Sequence, residues 1–303
     1  MRIAFLLTTL LLVACGDKES GPQPTTMPRG KPVIYTTFYP TTYFTERIVG
    51  DAAEVVCPLP EGEDPIFWDP DENAIRGYQE ADLIIINGAS FEKWVDKVSL
   101  PMARQVDTAQ GFANRFVRFE ESTTHSHGKT GEHSHEGIDG HTWLDPLLAS
   151  AQAEAIRVAL VRLLPDNEAE LKARCDTLSS ELATLDAAFR GLGDLPAGMS
   201  LYASHPAYNY LAKCYGWRVV NLDLDPEQMP SGEVFAAVKA SLTEKPGRHL
   251  LWESEPLPAI AERFRTELGL ESILFSPCEG PPQGGDYLSV MRANSERVAA
   301  AFE

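Results

Sequence analysis

Six of the seven histidines fall between residues 125 and 205. Four stand in the pairs His125-Ser126-His127 and His133-Ser134-His135, and two follow singly as Gly140-His141-Thr142-Trp143 and Ser204-His205-Pro206. Imidazole is the commonest protein ligand for transition metals, and its unperturbed pKa leaves it largely neutral at pH 7. These residues point to handling of a divalent metal. Zinc comes first, with Mn2+ or copper as alternatives. Residues 125–135 read as a metal-capture loop, against the plainer reading of a solvated loop with incidental histidines. His141 competes with a helix-capping or core role, and His249, which opens a strand-like run, reads as structural.

The elements that must position these groups alternate between strand-like and helix-like twice. Strand patterns at 32–37, 53–57 and 83–86 are separated by helical patterns at 41–49 and 72–79, with a further helix at 91–98 and a short strand at 104–107. Leu83-Ile84-Ile85-Ile86 is the unbroken apolar run of a parallel strand buried on both faces. The middle is helical: 147–164, then 168–192, roughly 37 Å long if continuous. A second alternating set runs from 200 to 302. The economical fold class is α/β, two βα lobes with parallel sheets joined by a long rigid helix. Ligands in open parallel sheets bind beyond the carboxyl ends of the strands. Asp64, Asp69, His205, Glu253, Glu255, Ser276, Cys278 and Glu279 all follow predicted strands there, and His141 precedes the linker.

The ends and the composition bound the setting. Residues 3–13 are apolar but too short to span a bilayer. They lead to Ala14-Cys15-Gly16, which resembles a bacterial lipoprotein cleavage box with Cys15 as the lipidated residue. Residues 16–31, rich in Pro, Gly and Thr, read as a flexible tether. The expected division is a signal peptide at 1–15, a tether at 16–31, an N-terminal lobe at 32–165 with the histidine-rich loop at 120–140, a linker helix at 166–192, and a C-terminal lobe at 193–303. A net charge of −18 repels nucleic acid and anionic lipid and attracts cations. Cys57, Cys175, Cys214 and Cys278 allow three pairings or none, and no CxxC occurs. Trp68, Trp143 and Trp252 flank cleft loops and read as lobe-interface packing.

In this order the fragments Thr37-Phe38-Tyr39-Pro40, Asn87-Gly88-Ala89, Glu92-Lys93-Trp94, His141-Thr142-Trp143-Leu144-Asp145-Pro146, Ser204-His205-Pro206, Glu255-Pro256 and Gly285-Asp286-Tyr287 are familiar. The chain resembles the metal-binding lipoproteins of zinc- and manganese-type ABC importers, the cluster A-I solute-binding proteins. The resemblance implies a metal in the cleft between two lobes, held by four ligands. Two of the implied positions match His141 and His205. The other two fall on Ile66, which cannot bind metal, and on Ser276. Zinc in a closed site takes four N, O or S donors. The candidate ligands are therefore His141 and His205, then Glu255 and Asp64, with Asp69, Asp286 and the pair Cys278-Glu279 as further replacements.

The expected function is a lipid-anchored extracytoplasmic receptor, in the periplasm or at the cell surface. It would act as a monomer that captures zinc and delivers it to an ABC transporter permease, with no catalysis and no nucleic acid. One alternative is a non-transporting surface zinc buffer or adhesin-like protein. Another is a zinc-dependent hydrolase using Glu253 or Glu255 as base, against which stands the lack of HExxH and GxSxG.

Overall fold

The computed structural model describes residues 30–119, 123–126, 132–135, 137–193 and 197–302; Cys15, His127 and residues 16–29 of the tether predicted at 16–31 lie outside them. Two four-stranded sheets, each all parallel, form the framework. The first has β1 (Val33–Thr36), β2 (Glu54–Val56), β3 (Leu83–Ile86) and β4 (Gln105–Asp107) in the order β2-β1-β3-β4, with α1 (Tyr39–Val49) and α2 (Glu72–Glu80) as connections. All four residues of β3 are buried, as its apolar run requires. Pro40 and the Asp71 side chain, which accepts from Ala74 N at 2.8 Å, start the two helices.

Residues 123–126 (β5) and 132–135 (β6) pair as an antiparallel hairpin, registering His125 with His133 and Thr123 with His135. Then come α3 (Pro146–Leu163) and α4 (Glu168–Gly191). The second sheet contains β7 (Ser200–Ala203), β8 (Val219–Asn221), β9 (Gly247–Trp252) and β10 (Glu271–Leu274), ordered β10-β9-β7-β8. Its connecting helices are α5 (Asn209–Tyr215), α6 (Gly232–Glu244) and α7 (Pro258–Leu268), and α8 (Tyr287–Phe302) closes the chain.

α4 is the spine. Leu171, Cys175, Leu178, Leu182, Leu185 and Phe189 recur every three or four residues and are all buried. This stripe packs against α1 and α3 of the first lobe and α8 of the second. Ile34, Phe44, Leu182, Leu251, Phe275 and Met291 consequently belong to one continuous apolar core running through both lobes. Apolar continuity of that kind opposes wide opening.

One expectation changes, and the open question of the cysteines closes. The helix expected at 91–98 is only a one-turn 3-10 helix at Val95–Lys97. The preceding Gly88, Ala89 and Ser90 all take positive φ (80°, 52° and 58°), and Phe91 N bonds back to Gly88 O, which spends these residues on a turn. The cysteines Cys57, Cys175, Cys214 and Cys278 are all free.

Candidate metal site

His141 caps the 3-10 turn Thr142–Leu144 that leads into α3 and is 1 % exposed. Asp139 accepts from the His141 backbone N at 2.9 Å and from Nδ1 at 2.7 Å. A carboxylate only accepts, so Nδ1 carries the proton and Nε2 is the ring atom directed to the cleft. The backbone beneath is fixed tightly. A Cβ on Gly140 would lie 2.7 Å from Phe91 Cβ, so only glycine fits this close approach. Gly140 O accepts from Asn87 Nδ2 at 2.9 Å, and Asn87 Oδ1 accepts from Thr142 Oγ1 at 3.2 Å and Gln152 Nε2 at 2.9 Å. Asn87 is held in turn by Glu92, whose buried carboxylate accepts from Thr37 Oγ1, Asn87 N and Gly88 N.

Glu279 faces His141 from the other lobe, with Oε1 3.3 Å from Nε2. Its loop follows β10 and turns sharply. Cys278 N donates to Ser276 Oγ at 3.2 Å, and Cys278 itself takes φ +59°. Trp143 Nε1 donates to Pro277 O at 2.8 Å and Tyr39 N to Glu279 O at 3.3 Å, so first-lobe groups fasten this second-lobe loop. His205 follows β7, is 6 % exposed, and lies with its ring centroid 5.7 Å from that of His141. Glu253 follows β9 and approaches His205 Nδ1 at 3.8 Å. Asp64, in the loop after β2, accepts from Ile66 N at 2.8 Å.

The electrostatics tie five of these groups together. Burial opposes the charged form of His141, but the Asp139 and Glu279 carboxylates outweigh it and push the ring up to about 10. Burial, reinforced by Glu279, raises Glu253 to about 8 and Asp64 to about 6, while His141 pulls both down. Three carboxylates thus compete around two imidazoles, the field a divalent cation relieves. An open groove of about 400 Å³, lined in part by Glu63, Asp64, Trp68, Asp69 and Asp71, adjoins Asp64 and is strongly acidic.

The donors suit zinc in kind and partly in spacing. Two donors about 2.0–2.1 Å from a tetrahedral zinc sit about 3.3 Å apart, the separation of His141 Nε2 and Glu279 Oε1. Among the described residues no three His, Cys, Asp or Glu side chains already share one coordination point.

Residues 34–301 match the family model of ZnuA, described as "Zinc-uptake complex component A periplasmic". The chain belongs to this family. It is 29% identical over 307 aligned positions to the zinc-binding lipoprotein AdcA of Streptococcus pneumoniae (strain ATCC BAA-255 / R6), covering 97% of this chain and 59% of AdcA. It is also 29% identical over 306 positions to the high-affinity zinc uptake system protein ZnuA of Bacillus subtilis (strain 168), covering 95% and 93%. The crystal structure of the metal-dependent lipoprotein YcdH from Bacillus subtilis superposes with a TM-score of 0.76 at 26% identity, covering 89% of this chain and 98% of that one. The family's description is that of a component of a zinc-uptake complex.

Against the ZnuA-family pattern, the structure brings His141, His205 and Asp64 to one cleft. Ile66 is 4 % exposed, packs in the core, and lines a small pocket with Phe91, Gly140 and His141. Ser276 is occupied by its own turn and by Asn294, which donates to Ser276 O at 2.8 Å. Glu255 is exposed in the loop beyond β9, and Glu253 lies nearer the histidines. Asp69 is exposed, and Asp286 bonds Tyr43 and Ser289 at the start of α8. The thiol of Cys278 is pushed up to about 12 by burial, then by Asp286 and Glu279. Trp143 packs on His141 and Trp252 in the second lobe's own core; Trp68 stacks edge-on against Trp94. His249 rests against Phe302. Glu279 and Glu253 ranked low in the sequence. Their one signal was an acid just past the end of a predicted strand.

Proposed function

We propose that this chain captures zinc outside the cytoplasm and hands it to an ABC permease. His141, His205 and Glu279 form the core of the site, and Asp64 or Glu253 completes it. The observation that carries this reading is the facing pair His141 Nε2 and Glu279 Oε1, at donor spacing, beside His205 in a cleft between two parallel sheets. The names of the relatives, zinc-binding lipoprotein and zinc uptake protein, support the metal and an anchor at Cys15. Release would follow from docking both lobes on the permease and drawing second-lobe His205 away from first-lobe His141. The protein acts as a monomer.

The four histidines of 125–135 would make a secondary metal-holding element by their number and spacing in the sequence. It could feed the cleft or serve alone as a surface zinc buffer. Competitive zinc titration by calorimetry separates these. A tight site lost in a His141→Ala/His205→Ala double variant but retained after deletion of 125–135 supports the cleft receptor. Binding that survives the double variant and vanishes with the hairpin supports the buffer.

A further inference from the structure

Asn209 opens α5, four residues after His205, and makes three side-chain bonds. Nδ2 donates to Asp139 Oδ2 at 2.9 Å and to Pro206 O at 3.3 Å, and Oδ1 accepts from Asn221 Nδ2 at 3.0 Å. Asp139 is fully buried and holds His141 through its other oxygen. Pro206 adjoins His205. One amide, on a helix of the second lobe, therefore grips the orienting partner of His141 and the backbone of the residue that follows His205. Tyr210, next along α5, reinforces the crossing by donating from its hydroxyl to Asp139 O at 2.8 Å.

We propose that Asn209 is a positioning residue that links the two histidines across the cleft, so that His141 is oriented for metal only while the lobes hold this mutual arrangement. The inference rests on the zinc-site reading above. Its physical basis is the outer-shell rule: a metal-ligating imidazole is fixed by the group on its other nitrogen, and loss of that group typically costs 10–100-fold in affinity. Here that group is itself secured by an amide from the opposite lobe. If the lobes part, Asp139 loses its Asn209 bond as His205 leaves, and both effects weaken metal binding together. Asn221, at the end of β8, locks the amide so that its nitrogen and not its oxygen faces Asp139.

The test compares wild type with Asn209→Asp, which keeps the shape but swaps the donor for an acceptor, and with Asn209→Ala. Two quantities are read: the zinc dissociation constant by chelator competition, and the hydrogen-exchange rate of the His141 Nδ1 proton by NMR, with and without zinc. The expected result is a roughly 10–100-fold weaker dissociation constant in Asn209→Asp, a smaller loss in Asn209→Ala, and faster Nδ1 exchange in both. A merely structural role would lower thermal stability without moving that proton. Unchanged zinc affinity and unchanged exchange in both variants would overturn the proposal. If wild type itself bound no zinc, the functional reading would fail, while the exchange rates in metal-free protein would still decide whether Asn209 positions His141.

Discussion

His141 and Glu279 come from opposite lobes, yet their Nε2 and Oε1 atoms stand 3.3 Å apart while the Ile66 side chain beside His141 packs into apolar core. On the proposed reading of the site, carboxylates around the two rings stand in for an imidazole on the first-lobe loop.

Glu279→Gln keeps the side chain's shape and removes its charge. Zinc affinity is expected to fall about 100-fold or more, since a charge-assisted contact to the ion is lost. Glu255→Gln, an exposed site, is expected to bind as wild type. Chelator competition on the two variants checks both.

Ile66→His restores an imidazole where the ZnuA-family pattern has one. In the metal-free protein it buries a polar ring in an apolar site, and the expected cost is about 1–3 kcal/mol of stability. Zinc should recover that loss and raise the melting midpoint more than it does for wild type. Thermal unfolding with and without zinc measures the difference.

Zinc uptake at neutral pH must displace protons. Against its burial, the Asp139 and Glu279 carboxylates push His141 up to about 10, and burial pushes Glu253 up to about 8, so a metal bound at these groups would expel protons at pH 7. Calorimetric heats should therefore vary with the ionisation enthalpy of the buffer, and affinity should rise between pH 6 and 8. Equal heats in buffers of different ionisation enthalpy would contradict this.

The same groups set the pH dependence of stability. Asp64, Glu92 and Glu253 are raised by burial to about 6, 7 and 8. A raised folded pKa contributes stability that is fully present below the unfolded value and lost as pH climbs through the folded one. These three thus cost the metal-free protein stability across pH 3.8 to 8. His141, raised to about 10, acts in the same direction from pH 6.5 upward. The metal-free melting midpoint should drop over this window and the zinc-loaded midpoint should drop less. Parallel melting curves across pH, with and without zinc, test it.

Much of this arrangement was legible before any coordinates. Four consecutive apolar residues made β3 a buried parallel strand, and the absence of breakers in 168–191 made α4 continuous. The rule that ligands gather beyond parallel strand ends singled out His205, Asp64 and Glu253 as candidates, each in a loop that follows a strand. Three things were not legible. Glu253 and Glu255 are equally acidic and two residues apart, and only the path of the chain after Trp252 leaves Glu255 in solvent. The reach of Glu279 depends on a left-handed Cys278, a conformation its residue type does not advertise. The turn at 88–90 likewise places two non-glycine residues at positive φ, so helical spacing at 91–98 misled.

The most direct test of the central claim is anomalous diffraction at the zinc edge on crystals of the zinc-loaded protein. The account predicts one strong peak in the cleft, about 2.0–2.2 Å from His141 Nε2 and from a Glu279 oxygen, with His205 as a further ligand. A cleft without zinc and a peak on the 125–135 hairpin alone would contradict it.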